Sequence, residues 1–184
     1  AVGQIGSELT IALRGKYGSG NVVAAGNRTK PSDELLKSGP FEWVDVTEIL
    51  QLVDVVNKYK IDTIVNMSAL LSAVGERNPQ LCWHVNVNGL INTLEVARVL
   101  NLNQVLCPSS IAVWGDYAPL ENTPQETVLK PKTMYGVTKV TGELLCDYYV
   151  KRYGVDARGL RYPGIISAET LPGGGTTDYA VWIY

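Results

Sequence analysis

The chain has 184 residues, of which 46% are hydrophobic and 18% are charged, with a formal net charge of −2. This composition is typical of a globular protein and excludes wholesale disorder. No stretch approaches the ~18 apolar residues that a membrane span needs, and no basic block could follow a phosphate backbone, so we expect neither a membrane nor a nucleic-acid partner. Three widely spaced cysteines and one histidine predict no metal centre and favour a reducing compartment.

Helix-like and strand-like stretches alternate along the chain. Helices are predicted over residues 4–17, about 48–59 with Thr47 as the N-cap, 77–100 and 134–153. Strands are predicted over 22–25, 41–46, 61–67, from 104 to 111, and 155–162, with a loop over 26–40. This order predicts an α/β fold of the Rossmann type, a doubly wound parallel sheet whose ligands lie at the carboxyl ends of the strands.

The first candidate motif opens the first predicted helix and consists of Gly3, Gln4, Ile5 and Gly6. Glycines at a helix start allow backbone N–H groups to approach a pyrophosphate. The same residues also suit an ordinary turn at a helix start, so this motif alone does not decide between the two interpretations.

Tyr135 and Lys139 form the second candidate motif. Their i, i+4 spacing places both side chains on one helix face. A neighbouring ammonium favours the phenolate, and lowering a tyrosine pKa from ~10 to near neutrality corresponds to roughly 4 kcal/mol. Tyr135 is therefore a candidate general acid or base, although a solvated surface pair has the same spacing.

Ser109 and Ser110 follow a predicted strand, where a hydroxyl could polarise a substrate oxygen or could satisfy local backbone groups. A serine-hydrolase function is excluded because the chain has no GxSxG motif and His84 is its only histidine. Two other strands end in polar segments. Asp45 and Val46 could contact an adenine or begin the next helix, and Met67, Ser68 and Ala69 follow the next strand.

This ordered set of motifs resembles the extended short-chain dehydrogenase/reductases of the nucleotide-sugar epimerase-like group, and within them the branch of short-chain L-threonine 3-dehydrogenases. The resemblance covers nearly the whole chain. It is carried by residues 3–6, 70–76, 109–115 and 134–139, and most specifically by 160–167 followed by 174–181.

The resemblance implies a role for each reactive residue. Tyr135 takes the proton of a β-hydroxyl while hydride leaves the same carbon for a nicotinamide. Lys139 lowers the pKa of Tyr135 and holds the nicotinamide ribose, and Ser110 hydrogen-bonds the reacting oxygen. The substrate would be L-threonine and the product 2-amino-3-ketobutyrate.

The same resemblance implies two sets of binding residues. Ser72, Thr176 and Thr177 would bind the substrate, together with Ser110 and Tyr135. The cofactor would contact Gly3, Gln4, Ile5, Gly6, Asn27, Arg28, Asp45, Val46, Met67, Ser68, Ala69, Tyr135, Lys139, Tyr162 and Pro163.

The sequence leaves the choice between NAD and NADP open at one position. Many relatives end the second strand with an acidic residue, where this chain has Gly26 followed by Asn27 and Arg28. The missing acid would leave NADP conceivable, because an acid repels a 2′-phosphate. We expect NAD, since Asn27 can hydrogen-bond a ribose hydroxyl.

We expect residues 1–167 to be an incomplete NAD-binding domain without its first strand, and 168–184 to begin a truncated substrate lobe. On this interpretation the chain is an internal piece of a longer enzyme and is catalytically poor alone. The resemblance also implies a homodimer through the helices at 77–100 and 134–153, in the cytoplasm or the mitochondrial matrix. The alternatives are a nucleotide-sugar epimerase or dehydratase, and a non-catalytic dinucleotide-binding module.

Overall fold

The computed structural model describes residues 1–166 and residue 183. The helices are α1 Gln4–Tyr17, α2 Asp33–Lys37, α3 Ile49–Tyr59, α4 Ser72–Arg77, α5 Pro79–Trp83, α6 Gly89–Val99 and α7 Met134–Tyr153. The strands are β1 Ala24–Gly26, β2 Phe41–Trp43, β3 Thr63–Val65, β4 Gln104–Leu106, β5 Ser109–Ser110, β6 Ala157–Arg158 and β7 Arg161–Tyr162. A π-helical segment, His84–Asn88, joins α5 to α6.

Every strand pair in the described residues is parallel. β1 pairs with β2, β4 lies between β3 and β6, and β5 pairs with β7. The helices between successive strands are the crossovers that parallel pairing requires. The predicted α/β class with a Rossmann-type parallel sheet is therefore confirmed.

The sheet is divided between β1 and β3, since no ladder joins these two strands within residues 1–166. The Ala1 ammonium donates to the Ala25 carbonyl at 2.5 Å, so the start of the chain lies against β1. The predicted strand ahead of Ala1 concerns sequence outside this chain and stays a prediction. The predicted domain boundary at 167/168 lies outside the described residues.

Helix α6 is the centre of the packing. Leu94 on one side joins a cluster with Val105 and Tyr149, whereas Val96 joins another with Val44 and Leu52. These two side chains have 0% and 2% of their surface exposed. Because α6 buries apolar surface on both sides, it fixes the position of α7 relative to the sheet.

Two of the predicted helices have the expected bounds, whereas other predicted segments differ from the structure. α1 and α7 begin and end where the periodicity predicted. The predicted loop 26–40 contains α2, because the Ser32 hydroxyl caps the Leu35 amide. Thr47 does not cap α3; its hydroxyl donates to Asp45 at 2.7 Å, and Glu48 precedes the helix instead.

The strands are shorter than predicted, and the strand expected from 104 to 111 is interrupted at Cys107 and Pro108, which separate β4 from β5. The single helix expected over 77–100 starts at Pro79 and includes the π-helical segment. Among the helices that the structure describes, none has the length and apolar character to cross a membrane.

Candidate active site

The N-terminus of α7 positions the central candidate residues. The Thr133 hydroxyl caps this helix by accepting from the Gly136 amide at 3.0 Å, and Glu76 accepts from the Met134 amide at 2.6 Å. A Cβ on Gly136 would lie 2.3 Å from the Ala112 carbonyl oxygen, so only glycine lets α7 pack this closely against the turn after Ser110. The close contact brings the start of α7 to the end of β5.

Tyr135, Lys139 and Ser110 converge at this contact, as the sequence predicted. The Lys139 ammonium donates to the Pro108 carbonyl at 2.7 Å and lies 5.5 Å from the centroid of the Tyr135 ring. The Ser110 hydroxyl accepts from the Ala112 amide at 3.2 Å and lies near enough to the Tyr135 phenol to lower its pKa. The arrangement places a hydroxyl and a phenol together, with a lysine held beside them.

Burial governs the ionisation of both titratable groups. Desolvation raises the pKa of Tyr135, and the neighbouring Ser110 hydroxyl opposes this shift. Desolvation also lowers the pKa of Lys139, which the neighbouring thiols of Cys107 and Cys146 oppose. Burial thus sets the direction of the Tyr135 shift, and the effect of Lys139 that the resemblance implies stays a prediction.

A groove of about 490 Å³ lies over these residues. It contains most of the predicted substrate and nicotinamide contacts, namely Gln4, Ile5, Ser72, Ser110, Tyr135, Tyr162 and Pro163. Asp116 and Lys132, which form an ion pair, also line it. The predicted substrate residues Thr176 and Thr177 lie outside the described residues.

The glycine motif forms one end of the candidate cofactor site. Gly3 precedes α1 and no side chain caps the helix, so its first-turn amides remain available to an anion. A Cβ on Gly3 would meet open space, whereas one on Gly6 would lie 3.0 Å from the Ala1 Cα. Gln4 donates to the Ile165 carbonyl at 3.4 Å, which joins this turn to the segment after Pro163.

The predicted adenosine-binding residues meet at the other end. Asn27 donates to the Asp45 carboxylate at 2.8 Å across the ends of β1 and β2. Hydrogen bonds from Thr47 lower the pKa of Asp45 most, with Asn27 and the Arg28 charge also lowering it. Val46 packs closely against Gly89, since a Cβ added to Gly89 would lie 2.6 Å from Val46 Cγ2. The ionised form of Asp45 is thus stabilised beside Asn27.

The predicted segment of Met67, Ser68 and Ala69 follows β3, and the Ser68 amide donates to the Asn66 side chain at 3.1 Å. Asn86 in the π-helical segment holds the next residue, since it accepts from the Leu70 amide at 2.8 Å and donates to the Leu70 carbonyl at 3.0 Å. The predicted cofactor-binding segments therefore follow the carboxyl ends of β1, β2 and β3, which is the end of a parallel α/β sheet where ligands bind.

Sequence reasoning missed several residues that hold the site together. Asn86 also donates to Thr138 on α7 at 3.0 Å, so it joins the loop after β3 to the helix of Tyr135. Glu143 on α7 binds Ser109 and Arg161. The signal for Glu143 was its position four residues after Lys139, on the same helix face.

These features define a Rossmann-type dinucleotide-binding protein with serine, tyrosine and lysine grouped at the edge of its sheet. The family described as the NAD dependent epimerase/dehydratase family matches residues 1–181. The chain belongs to this family, whose description names NAD as the cofactor. The amides of α1 and the Asn27–Asp45 end fit such a cofactor.

One curated protein and two solved structures are similar to this chain over nearly all of its length. An uncharacterized epimerase/dehydratase of Staphylococcus aureus (strain USA300) is 52% identical over all 184 residues, which are 57% of its own length. The structure of L-threonine dehydrogenase from Clostridium difficile has a TM-score of 0.93 at 54% identity, over 97% of this chain and 56% of that one. A monomeric L-threonine 3-dehydrogenase from a metagenome, in its apo form, has a TM-score of 0.93 at 47% identity, over 99% and 57% of the two chains. The chain thus spans less than three fifths of these relatives.

Proposed function

We propose that the protein is an oxidoreductase that oxidises the β-hydroxyl of L-threonine to 2-amino-3-ketobutyrate. The proposal is carried by Ser110 and Tyr135, which line one groove, with the Lys139 ammonium 5.5 Å from the centroid of the Tyr135 ring. The choice of threonine rests on similar structures named threonine dehydrogenases, at 47% and 54% identity.

In this reaction Tyr135 accepts the proton of the substrate β-hydroxyl, and Ser110 donates a hydrogen bond to the same oxygen. Bound NAD would accept the hydride from the carbinol carbon. Lys139 has three N–H donors, one of which reaches Pro108, so the others would bind the nicotinamide ribose. Ser72, Thr176 and Thr177 would hold the polar end of the amino acid.

We propose NAD rather than NADP as the preferred cofactor. Asp45 lies against Asn27, and its lowered pKa favours the charged carboxylate. A fixed negative charge at the adenosine end would repel the 2′-phosphate of NADP.

The decisive experiment measures NADH formation at 340 nm by the full-length protein with L-threonine. We expect turnover that Tyr135→Phe lowers by about 10²-fold or more, because the variant lacks the proton acceptor. Tyr17→Phe, at a tyrosine that is 57% exposed on α1, is the matched control and should leave turnover unchanged. Turnover that survives Tyr135→Phe would refute the assigned role.

A nucleotide-sugar epimerase or dehydratase is the second candidate, because the family description includes both activities. The same protein is therefore assayed with UDP- and GDP-sugars. Conversion of a sugar nucleotide without threonine turnover would favour this alternative. Cofactor binding without any turnover would favour a non-catalytic module.

A further inference from the structure

Glu143 is the centre of a polar network beside the groove. It lies one helical turn after Lys139 and two turns after Tyr135 on α7, so the three side chains share a face. Its Oε1 accepts from the Ser109 hydroxyl at 2.5 Å and from Arg161 Nε at 2.9 Å. Its Oε2 accepts from Arg161 Nη2 at 2.8 Å, which completes a bidentate pair.

The network extends to a fourth segment of the chain. Arg161 Nη1 donates to the Gln125 carbonyl at 2.9 Å, and the guanidinium lies 5.9 Å from the Trp114 ring centroid. The side chains of Arg161 and Glu143 are 14% and 24% exposed, the least exposed of the described ion pairs. Shielding from solvent makes this pair more rigid and less sensitive to salt than a surface pair.

Each partner of Glu143 is adjacent in sequence to a residue that lines the groove. Ser109 precedes Ser110, and Arg161 precedes Tyr162. β5 and β7 are only two residues long, so their ladder alone restrains them weakly. The carboxylate of Glu143 adds side-chain bonds from α7 to both strands at this point.

We propose that Glu143, bound by Arg161 and Ser109, is a positioning residue that fixes Ser110 and the segment after β7 relative to Tyr135 and Lys139. The inference rests on the proposed function for its kinetic test, because oxidation of the substrate alcohol requires these groups in one arrangement. Misplacement of reacting groups by about 1 Å costs on the order of 10²-fold in rate.

The test compares two carboxylate-to-amide variants of the full-length protein. Glu143→Gln removes the charge that holds two strands to α7. Asp156→Asn is the matched control. The Asp156 carboxylate also accepts hydrogen bonds from an arginine, Arg158 on β6, and from a residue on a second strand, Gln104 at the start of β4. Both variants are assayed for kcat, KM and the primary isotope effect with L-threonine deuterated at Cβ.

For Glu143→Gln we expect kcat to fall by about 10- to 100-fold with KM within about threefold, and the isotope effect to increase because hydride transfer becomes slower than product release. The kcat of Arg161→Lys should lie between those of the wild type and Glu143→Gln, since lysine keeps the charge but loses the bidentate geometry. Asp156→Asn should match the wild type. A kcat loss that is matched by an equal loss of folded protein, measured by circular dichroism, would overturn the proposal.

A second measurement separates this proposal from the proposed function. Hydrogen exchange of the amides at 109–112 and 161–162 should accelerate in Glu143→Gln and not in Asp156→Asn, whatever the substrate. Unchanged exchange in these segments would overturn the positioning role even if threonine is the substrate. If the wild type converts a sugar nucleotide instead of threonine, faster exchange together with the same kcat loss on that substrate would still support it.

Discussion

Ser110 and Tyr135 illustrate how burial and a neighbouring hydroxyl affect the ionisation of a side chain. Burial raises the pKa of Tyr135 and the Ser110 hydroxyl lowers it, so the balance between the two determines the pH at which a phenolate forms. The proton acceptor in alcohol oxidation is the deprotonated phenol. Activity should therefore increase with pH as Tyr135 loses its proton.

Ser110→Ala should shift the rising limb of the pH profile of kcat/KM for threonine to higher pH, because it removes the hydroxyl that opposes the effect of burial. It should also lower kcat/KM by at least about tenfold, since in the proposed reaction Ser110 hydrogen-bonds the reacting oxygen. The measurement is kcat/KM from neutral pH to above the ordinary tyrosine pKa of ~10, because burial raises the pKa of Tyr135, and the exposed Ser19→Ala is the control. A limb that stays in place would show that Ser110 does not act on the ionisation of Tyr135.

Asp45→Asn should increase the ratio of kcat/KM with NADP to that with NAD by about tenfold, because it removes the negative charge beside Asn27. The nearly isosteric amide keeps a hydrogen-bonding partner for Asn27 and Thr47. Asp62→Asn at the start of β3 is the control. An unchanged ratio would place the 2′-hydroxyl of the cofactor away from Asp45.

At the scale of the elements, α7 depends on its two ends. Its start requires Gly136 for close contact with the turn after Ser110, and its end requires Gly154, which has φ of 72°. The Gly154 amide bonds back to the Val150 carbonyl at 3.1 Å, which closes the helix. Such a left-handed residue after a helix favours glycine.

Gly154→Ala should destabilise the protein by about 1 kcal/mol, because alanine is strained at positive φ. Gly15→Ala is the matched substitution, inside α1, where a Cβ would meet nothing within 4 Å. It should stabilise the protein by about 0.5–1 kcal/mol through helix propensity. Urea unfolding monitored by circular dichroism gives both values. The same sign for both variants would contradict the role of φ at Gly154.

At the scale of the whole molecule, α7 presents an apolar surface away from its core contacts. Tyr149 is 7% exposed and belongs to the core, whereas its neighbours Tyr148 and Tyr153 lie outside the core. These two are 52% and 42% exposed, and Leu144 on the same helix is 64% exposed. The predicted homodimer stays a prediction, and one similar structure is described as monomeric.

If the helices at 77–100 and 134–153 form the dimer contact, Leu144→Asp should convert a dimer into a monomer, because it buries a charge in an apolar interface. Sedimentation velocity at micromolar concentration measures this directly. Leu120→Asp, at a fully exposed leucine in the loop before α7, is the control and should leave the sedimentation coefficient unchanged. A wild-type protein that sediments as a monomer would refute the dimer.

Features that depend on local spacing could be predicted from the sequence alone. The bounds of α1 and α7, the parallel α/β class and the shared face of Tyr135 and Lys139 all follow from periodicity and from the order of the elements. The same local rules placed the polar segments at the ends of the strands. They failed where a local and a distant partner compete, as for Thr47, whose hydroxyl binds Asp45 instead of capping α3.

Contacts between distant segments became visible only in the tertiary structure. The sequence could not place Glu143 between Ser109 and Arg161, because they are 34 and 18 residues away and their contact depends on how α7 packs on the strands. It also could not show that burial raises the pKa of Tyr135. Spacing shows which charge is a neighbour, whereas desolvation depends on the atoms that the whole fold places around the phenol.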